Sequence, residues 1–131
     1  MGRKEVQGKG LDLTESLTVY GFGSYFSGAA APNDIDLLIV HQSGLKPSCA
    51  FAVLCKSVIL NELTKAHVTM LSVREANEHD FIARARAIRL QEIHEASIAA
   101  DISGLLCLIE SYYKRPLSDP EGNYRDTCNR P

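Results

Sequence analysis

The chain lacks the marks of several common protein classes. Its 131 residues hold no apolar stretch long and charge-free enough to span a bilayer, and residues 1–10 are polar where a signal peptide has its apolar segment. A cytoplasmic protein with no membrane role is expected. The four cysteines, Cys49, Cys55, Cys107 and Cys128, show neither CxxC spacing nor paired histidines, which argues against a zinc site or a redox motif; reduced thiols are the simplest reading. Neither sign of charge dominates. A formal net charge of −2 gives no global attraction to nucleic acid or anionic lipid, so nucleic acid is not an expected partner and small molecules or proteins are favoured. Internal repeats are absent as well.

What is present is an ordinary globular composition, 45% hydrophobic and 23% charged, in a length that suits one core. The domain is expected over 11–115, with flexible termini at 1–10 and 116–131, the latter almost devoid of apolar residues. A short helical turn is expected over 11–16. The β-branched and aromatic run Leu17 to Phe22, ended by glycine, reads as a first strand, and Ile35 to Val40 as a second. Ser48 is a plausible N-cap for a very apolar helix from about Cys49 to about Leu63, one with little face left for solvent. A third strand is expected over Val68 to Leu71. Residues 74–86 and 88–113 read as two closing helices, the second interrupted near Ser103-Gly104. The fold class is therefore α/β, a small mixed sheet backed by helices.

Asp34 and Asp36 flank Ile35 at the start of the second strand, and the two-residue period of a strand points both carboxylates to one face. Like charges so close call for a compensating cation, and an oxygen-rich pair suits Mg²⁺. Magnesium is usually held by one or two carboxylates plus substrate phosphate oxygens, so a phosphate-holding element should lie nearby. Gly21-Phe22-Gly23-Ser24 ends the preceding strand, where glycines let backbone approach a phosphate and the Ser24 hydroxyl can donate to it; Ser27 and Gly28 extend the turn.

Gly23-Ser24, Gly28 and Asp34-Ile35-Asp36-Leu37, with nine residues between Ser24 and Asp34, resemble the signature of the polymerase-β-like nucleotidyltransferases, in particular the minimal bacterial branch. The resemblance covers about residues 17–72. It implies that Asp34 and Asp36 hold the catalytic metal, Mg²⁺ or Mn²⁺, and that Gly23 and Ser24, with Ser27, hold a nucleoside triphosphate. The implied reaction moves a nucleoside monophosphate to a hydroxyl acceptor, which in so short a chain is expected on a partner protein. A third carboxylate completes the family's site, and here Thr69, or His67 in another register, stands in its place. A threonine hydroxyl cannot act as a general base near neutral pH. The alternative is thus a catalytically degenerate binding module of antitoxin-like or regulatory type, paired with a small helical partner as in toxin–antitoxin systems. Glu62, Glu75 or Asp80 are further sources of the missing carboxylate.

Other features read more blandly. His41 and His67 are expected to be hydrogen-bonded structural residues, and His79 and His94 surface residues in helices. Arg84, Arg86 and Arg89, interleaved with glutamates, suit an ordinary charged helix face. The stripe Ile98, Ile102, Leu105, Leu106, Ile109, with Tyr112 and Tyr113, is expected to pack on the sheet; any exposed part of it would favour a homo-oligomer.

Overall fold

The computed structural model describes residues 14–28 and 34–114, with side chains as far as residue 112. The termini expected to be flexible lie outside the described residues. Strand β1 (Ser16–Phe22) leads into a one-turn helix α1 (Ser24–Ser27), then β2 (Ile35–His41), helix α2 (Lys46–Glu62) and β3 (Ala66–Ser72). Two short helices, α3 (Val73–Glu78) and α4 (Phe81–Ala85), precede β4 (Ile88–His94), a 3-10 turn at Glu95–Ser97 and the terminal helix α5 (Ile98–Lys114).

The four strands form one mixed sheet in the order β3-β2-β1-β4. β1 runs antiparallel to both neighbours, while β2 and β3 are parallel and joined by α2. This is the mixed sheet backed by helices that the strand and helix patterns predict. Strand alternation divides the core. Leu17, Val19, Leu37 and Ile39 meet Phe51, Ala52, Cys55 and Ile59 of α2 and Ile102, Leu105 and Ile109 of α5. Leu38 and Val40 face the other way and pack with Tyr20, Phe22, Ala76, Phe81 and Ile82 beneath α3 and α4. β2 is therefore covered on both faces from Leu37 to His41, which is why its sequence is continuously apolar there. Each fully buried Leu or Ile contributes about 1.5–3 kcal/mol relative to exposure.

Several expectations are corrected. The helical turn expected over 11–16 is absent in its described part: Thr14 and Glu15 are irregular and Ser16 opens β1, while 11–13 lie outside the described residues. Ser48 does not cap α2. The helix starts a turn earlier, with Leu45 at the N-cap and Pro47 in the first turn, where its missing N–H costs nothing. Ser48 turns instead to the preceding loop, accepting from the Ser43 N–H at 3.0 Å and bonding His41 Nδ1 at 3.0 Å. The helix expected over 74–86 is broken by Asp80, whose φ of 51° separates α3 from α4. The helix expected from Ile88 is a strand to His94, and α5 runs through Ser103-Gly104 without interruption. Arg89 and His94 thus lie on a strand. Cys49 and Cys55 are free, as expected, but Cys107 is disulfide-bonded, where a reduced thiol was expected. A bridge between distant residues leaves no spacing signature in a sequence.

The α5 stripe packs as expected, with Ile102, Leu105 and Ile109 buried against the sheet. Among the described residues no helix is long and apolar enough to cross a membrane.

Candidate functional site

Antiparallel register pairs Phe22 of β1 with Asp36 of β2, so Gly23, the next residue along, emerges beside the Asp36 carboxylate. The approach is close. Gly23 has φ 79° and ψ −168°, a region essentially reserved for glycine, and a Cβ placed on it would lie 2.5 Å from Asp36 Oδ2. Backbone and carboxylate share a space that no side chain can enter.

The turn that follows is fastened locally. The N–H groups of Phe26 and Ser27 donate to the Gly23 carbonyl at 3.2 and 3.1 Å, and Gly28, left-handed at φ 94°, closes α1 by donating to the Ser24 carbonyl. α1 is also anchored from below. The Phe26 ring lies over Gly21, where a Cβ would come within 2.6 Å of it, and meets Tyr112 of α5 edge-on at 5.1 Å. The Tyr25 hydroxyl donates to the Ile109 carbonyl at 2.9 Å. Through these contacts the terminal helix holds the Gly23-Ser24 turn in position. Ser24 remains exposed. Ser27 Oγ donates back to the Ser24 carbonyl at 3.3 Å, so in this arrangement it supports the turn.

On the other side of Asp36 the parallel register places His67, and Thr69 pairs with Leu38 two positions further along. His67 Nε2 is 3.3 Å from Asp34 Oδ1, in a pair where both side chains are more than half exposed. Asp34 immediately precedes β2 and Asp36 is its second residue, half-buried. Gly23, Ser24, Asp34, Asp36 and His67 therefore gather at one end of the two central strands and β3. These residues lie between the turn after β1 and the start of β2.

Three side chains weighed as replacements for a third carboxylate behave differently. Glu75 follows the far end of β3, where it completes a capping box: its carboxylate accepts from Ser72 N–H at 2.9 Å and Ser72 Oγ accepts from Glu75 N–H at 3.1 Å. The backbone hydrogen bond from Ser72 holds the Glu75 carboxyl below its usual range. Asp80 is exposed at the corner between α3 and α4, and Glu62 is exposed at the end of α2. Among the described residues no group of three or more His, Cys, Asp or Glu side chains is arranged to hold a metal ion.

Two carboxylates alone meet the usual protein share of a Mg²⁺ site whose other ligands are phosphate oxygens and water.

His67 is the residue whose place the sequence obscured. Its partnership with Asp34 follows from the register of β3, which no local pattern encodes. The arginines do not form one cluster. Arg84 lies in α4, Arg86 caps it at φ 55°, and Arg89 on β4 pairs with Glu92 at 3.4 Å. His79 caps α3, and His41 is buried, bonded through Nδ1 to the Ser43 carbonyl at 2.9 Å. A carbonyl only accepts, so that nitrogen carries the proton.

No protein-family model, no curated protein and no solved structure matches the chain.

Proposed function

We propose that the chain is a divalent-metal-dependent nucleotidyltransferase, acting from the end of β1 and β2. The observation that carries the proposal is the contact between Gly23 and Asp36, where an obligate glycine meets a carboxylate with a serine next in the chain. In this reading Asp34 and Asp36 hold Mg²⁺ or Mn²⁺, and Gly23 and Ser24 hold the triphosphate, with Ser27 bracing the turn. A bound metal ion supplies neutralisation of the phosphate charge. The acceptor oxygen bonds to the α-phosphorus as the bond to the β-phosphate bridge breaks, and pyrophosphate leaves. His67, in register with Asp36 and in contact with Asp34, takes the acceptor's proton. In this reading the acceptor hydroxyl belongs to a partner protein. The test is transfer of radiolabel from each α-labelled nucleoside triphosphate to protein, in lysate and with purified partners. Label transfer lost in Asp36→Asn supports the reading; equal transfer by the variant refutes it.

One observation favours a second reading. Thr69 stands two register positions beyond His67, and no third carboxylate joins Asp34 and Asp36 among the described residues. In that reading the chain binds a nucleotide, or a small helical partner protein, without turnover. Metal-dependent nucleotide binding with no label transfer to any acceptor distinguishes it.

A further inference from the structure

Asp36 lies near the start of β2, and the other end of that strand carries a second set of chemistry-bearing residues. β2 and β3 run parallel and finish side by side, with His41 paired to Ser72. α2 begins after a four-residue loop from His41 and α3 directly after Ser72, so both helices start at the same end of the sheet. Open α/β sheets commonly bind their ligands outside the carboxyl ends of their strands. Here that place is a cavity of about 460 Å³, within the size range of small-molecule sites, lined among others by His41, Cys49, Arg74, Glu75 and Glu78.

His41 is only 6% exposed. Its Nδ1 donates to the Ser43 carbonyl at 2.9 Å, so Nε2 is left with a lone pair and no proton. Nε2 has no hydrogen-bond partner among the described residues, yet it is not sealed in the core, and it opens on this cavity. A buried acceptor calls for a donor. Glu75 adds a second acceptor. One of its oxygens takes the Ser72 N–H at 2.9 Å, a bond that holds the carboxyl below its usual range, and the other is unclaimed among the described residues. Arg74 and Glu78 pair with each other at 3.1 Å and offset each other's charge, which leaves Glu75 as the uncompensated charge of the cavity wall.

We propose that this cavity binds a small organic cation, an amine or a guanidine, whose N–H groups donate to His41 Nε2 and to the Glu75 carboxylate. Such a group matches both acceptors and the residual negative charge, and an anion matches neither. Among the described residues no group of three or more His, Cys, Asp or Glu side chains is arranged to hold a metal ion, so the cation is an organic one. Cys49, a free and partly exposed thiol that packs as a small hydrophobe, gives the carbon chain of the ligand a wall to lie on. The site does not rest on the proposed catalytic reading. His41 stands five residues along β2 from Asp36, roughly 17 Å away in an extended strand.

The test is nitrogen NMR of the full chain with isotope-labelled histidine rings, titrated with agmatine, which carries a guanidinium and an ammonium group on one carbon chain. The Nε2 resonance of His41 is expected to move saturably as it gains a donor, while tetramethylammonium, a cation with no N–H, leaves it in place. Glu75→Gln keeps a side chain that fits the capping box of α3 but removes the charge, so the variant should fold and bind agmatine about tenfold more weakly. Asp36→Asn should bind agmatine as wild type does. An Nε2 resonance that agmatine leaves unmoved, an equal response to tetramethylammonium, undiminished binding by Glu75→Gln, or binding lost in Asp36→Asn would each overturn the proposal.

Discussion

At Gly23 two constraints coincide: a backbone conformation that other residues seldom adopt, and a carboxylate in the space where a side chain would begin. Gly23→Ala is therefore expected to cost about 1–3 kcal/mol from the backbone alone, with a further penalty as Asp36 is displaced. Urea denaturation measures the first effect, and loss of nucleotide binding the second. His67 is separable from Asp36. His67→Gln should lower label transfer by roughly 10²–10⁴-fold, the range of a lost general base, while leaving nucleotide affinity nearly unchanged. A matching loss of affinity would instead assign His67 to binding. Cys55 offers a test of the core. Burial, with the nearby Glu95 charge, pushes its thiol from 9.0 up to about 12, so the folded state keeps the proton that the unfolded state releases. Stability should fall as pH rises from about 9 towards about 12, and Cys55→Ser should flatten that fall. At neutral pH a thiol reagent should reach the partly exposed Cys49 and leave Cys55 unmodified until the chain unfolds. That Gly23, Ser24, Asp34 and Asp36 lie together was legible in the sequence because a strand, a glycine turn and a second strand lie close along the chain. His67 was not, because parallel pairing joins it to Asp36 across a whole helix.

Among the elements, β4 shows how a strand can hide. Its ladder with β1 slips between Val19 and Tyr20, so Val19 pairs with Gln91 and Tyr20 with Arg89. The bulge leaves Leu90 and Ile93 both buried in the main core, three residues apart, which is the spacing of a helix face. α5 has the opposite history. Gly104 weakens the helix by about 1 kcal/mol relative to alanine, yet the packing of Ile102, Leu105 and Ile109 carries it through. Ile93→Ala should cost about 2–5 kcal/mol, as expected for an Ile wholly buried between β1 and the helices. The α3 capping box responds to pH. Because the Glu75 carboxyl is held below its usual range, its contribution is complete above the unfolded carboxylate range and is lost as pH falls through the folded value. Ser72→Ala should remove the side-chain half of the cap, costing about 1 kcal/mol, while Glu75→Gln should reduce the acid sensitivity of folding in thermal melts between neutral and acidic pH.

For the molecule as a whole, a four-stranded mixed sheet uses one face and two long helices for its main core, and carries the Gly23-Ser24 turn beside Asp36 at the end of its central strands. The terminal helix takes part in both tasks, since Tyr25 and Phe26 tie the Gly23-Ser24 turn to Ile109 and Tyr112. Stability and site geometry are therefore linked through α5. The α/β class was legible because β1, β2 and α2 carry strong periodic signals, whereas the sheet order and the site's central position depend on long-range pairing that composition does not record. The most direct test of the proposed site is calorimetric titration of each nucleoside triphosphate into wild type and Asp36→Asn, with Mg²⁺ and then with chelator. The account predicts saturable binding to wild type that needs the metal and is lost in the variant; metal-independent binding, or equal binding by Asp36→Asn, would contradict it.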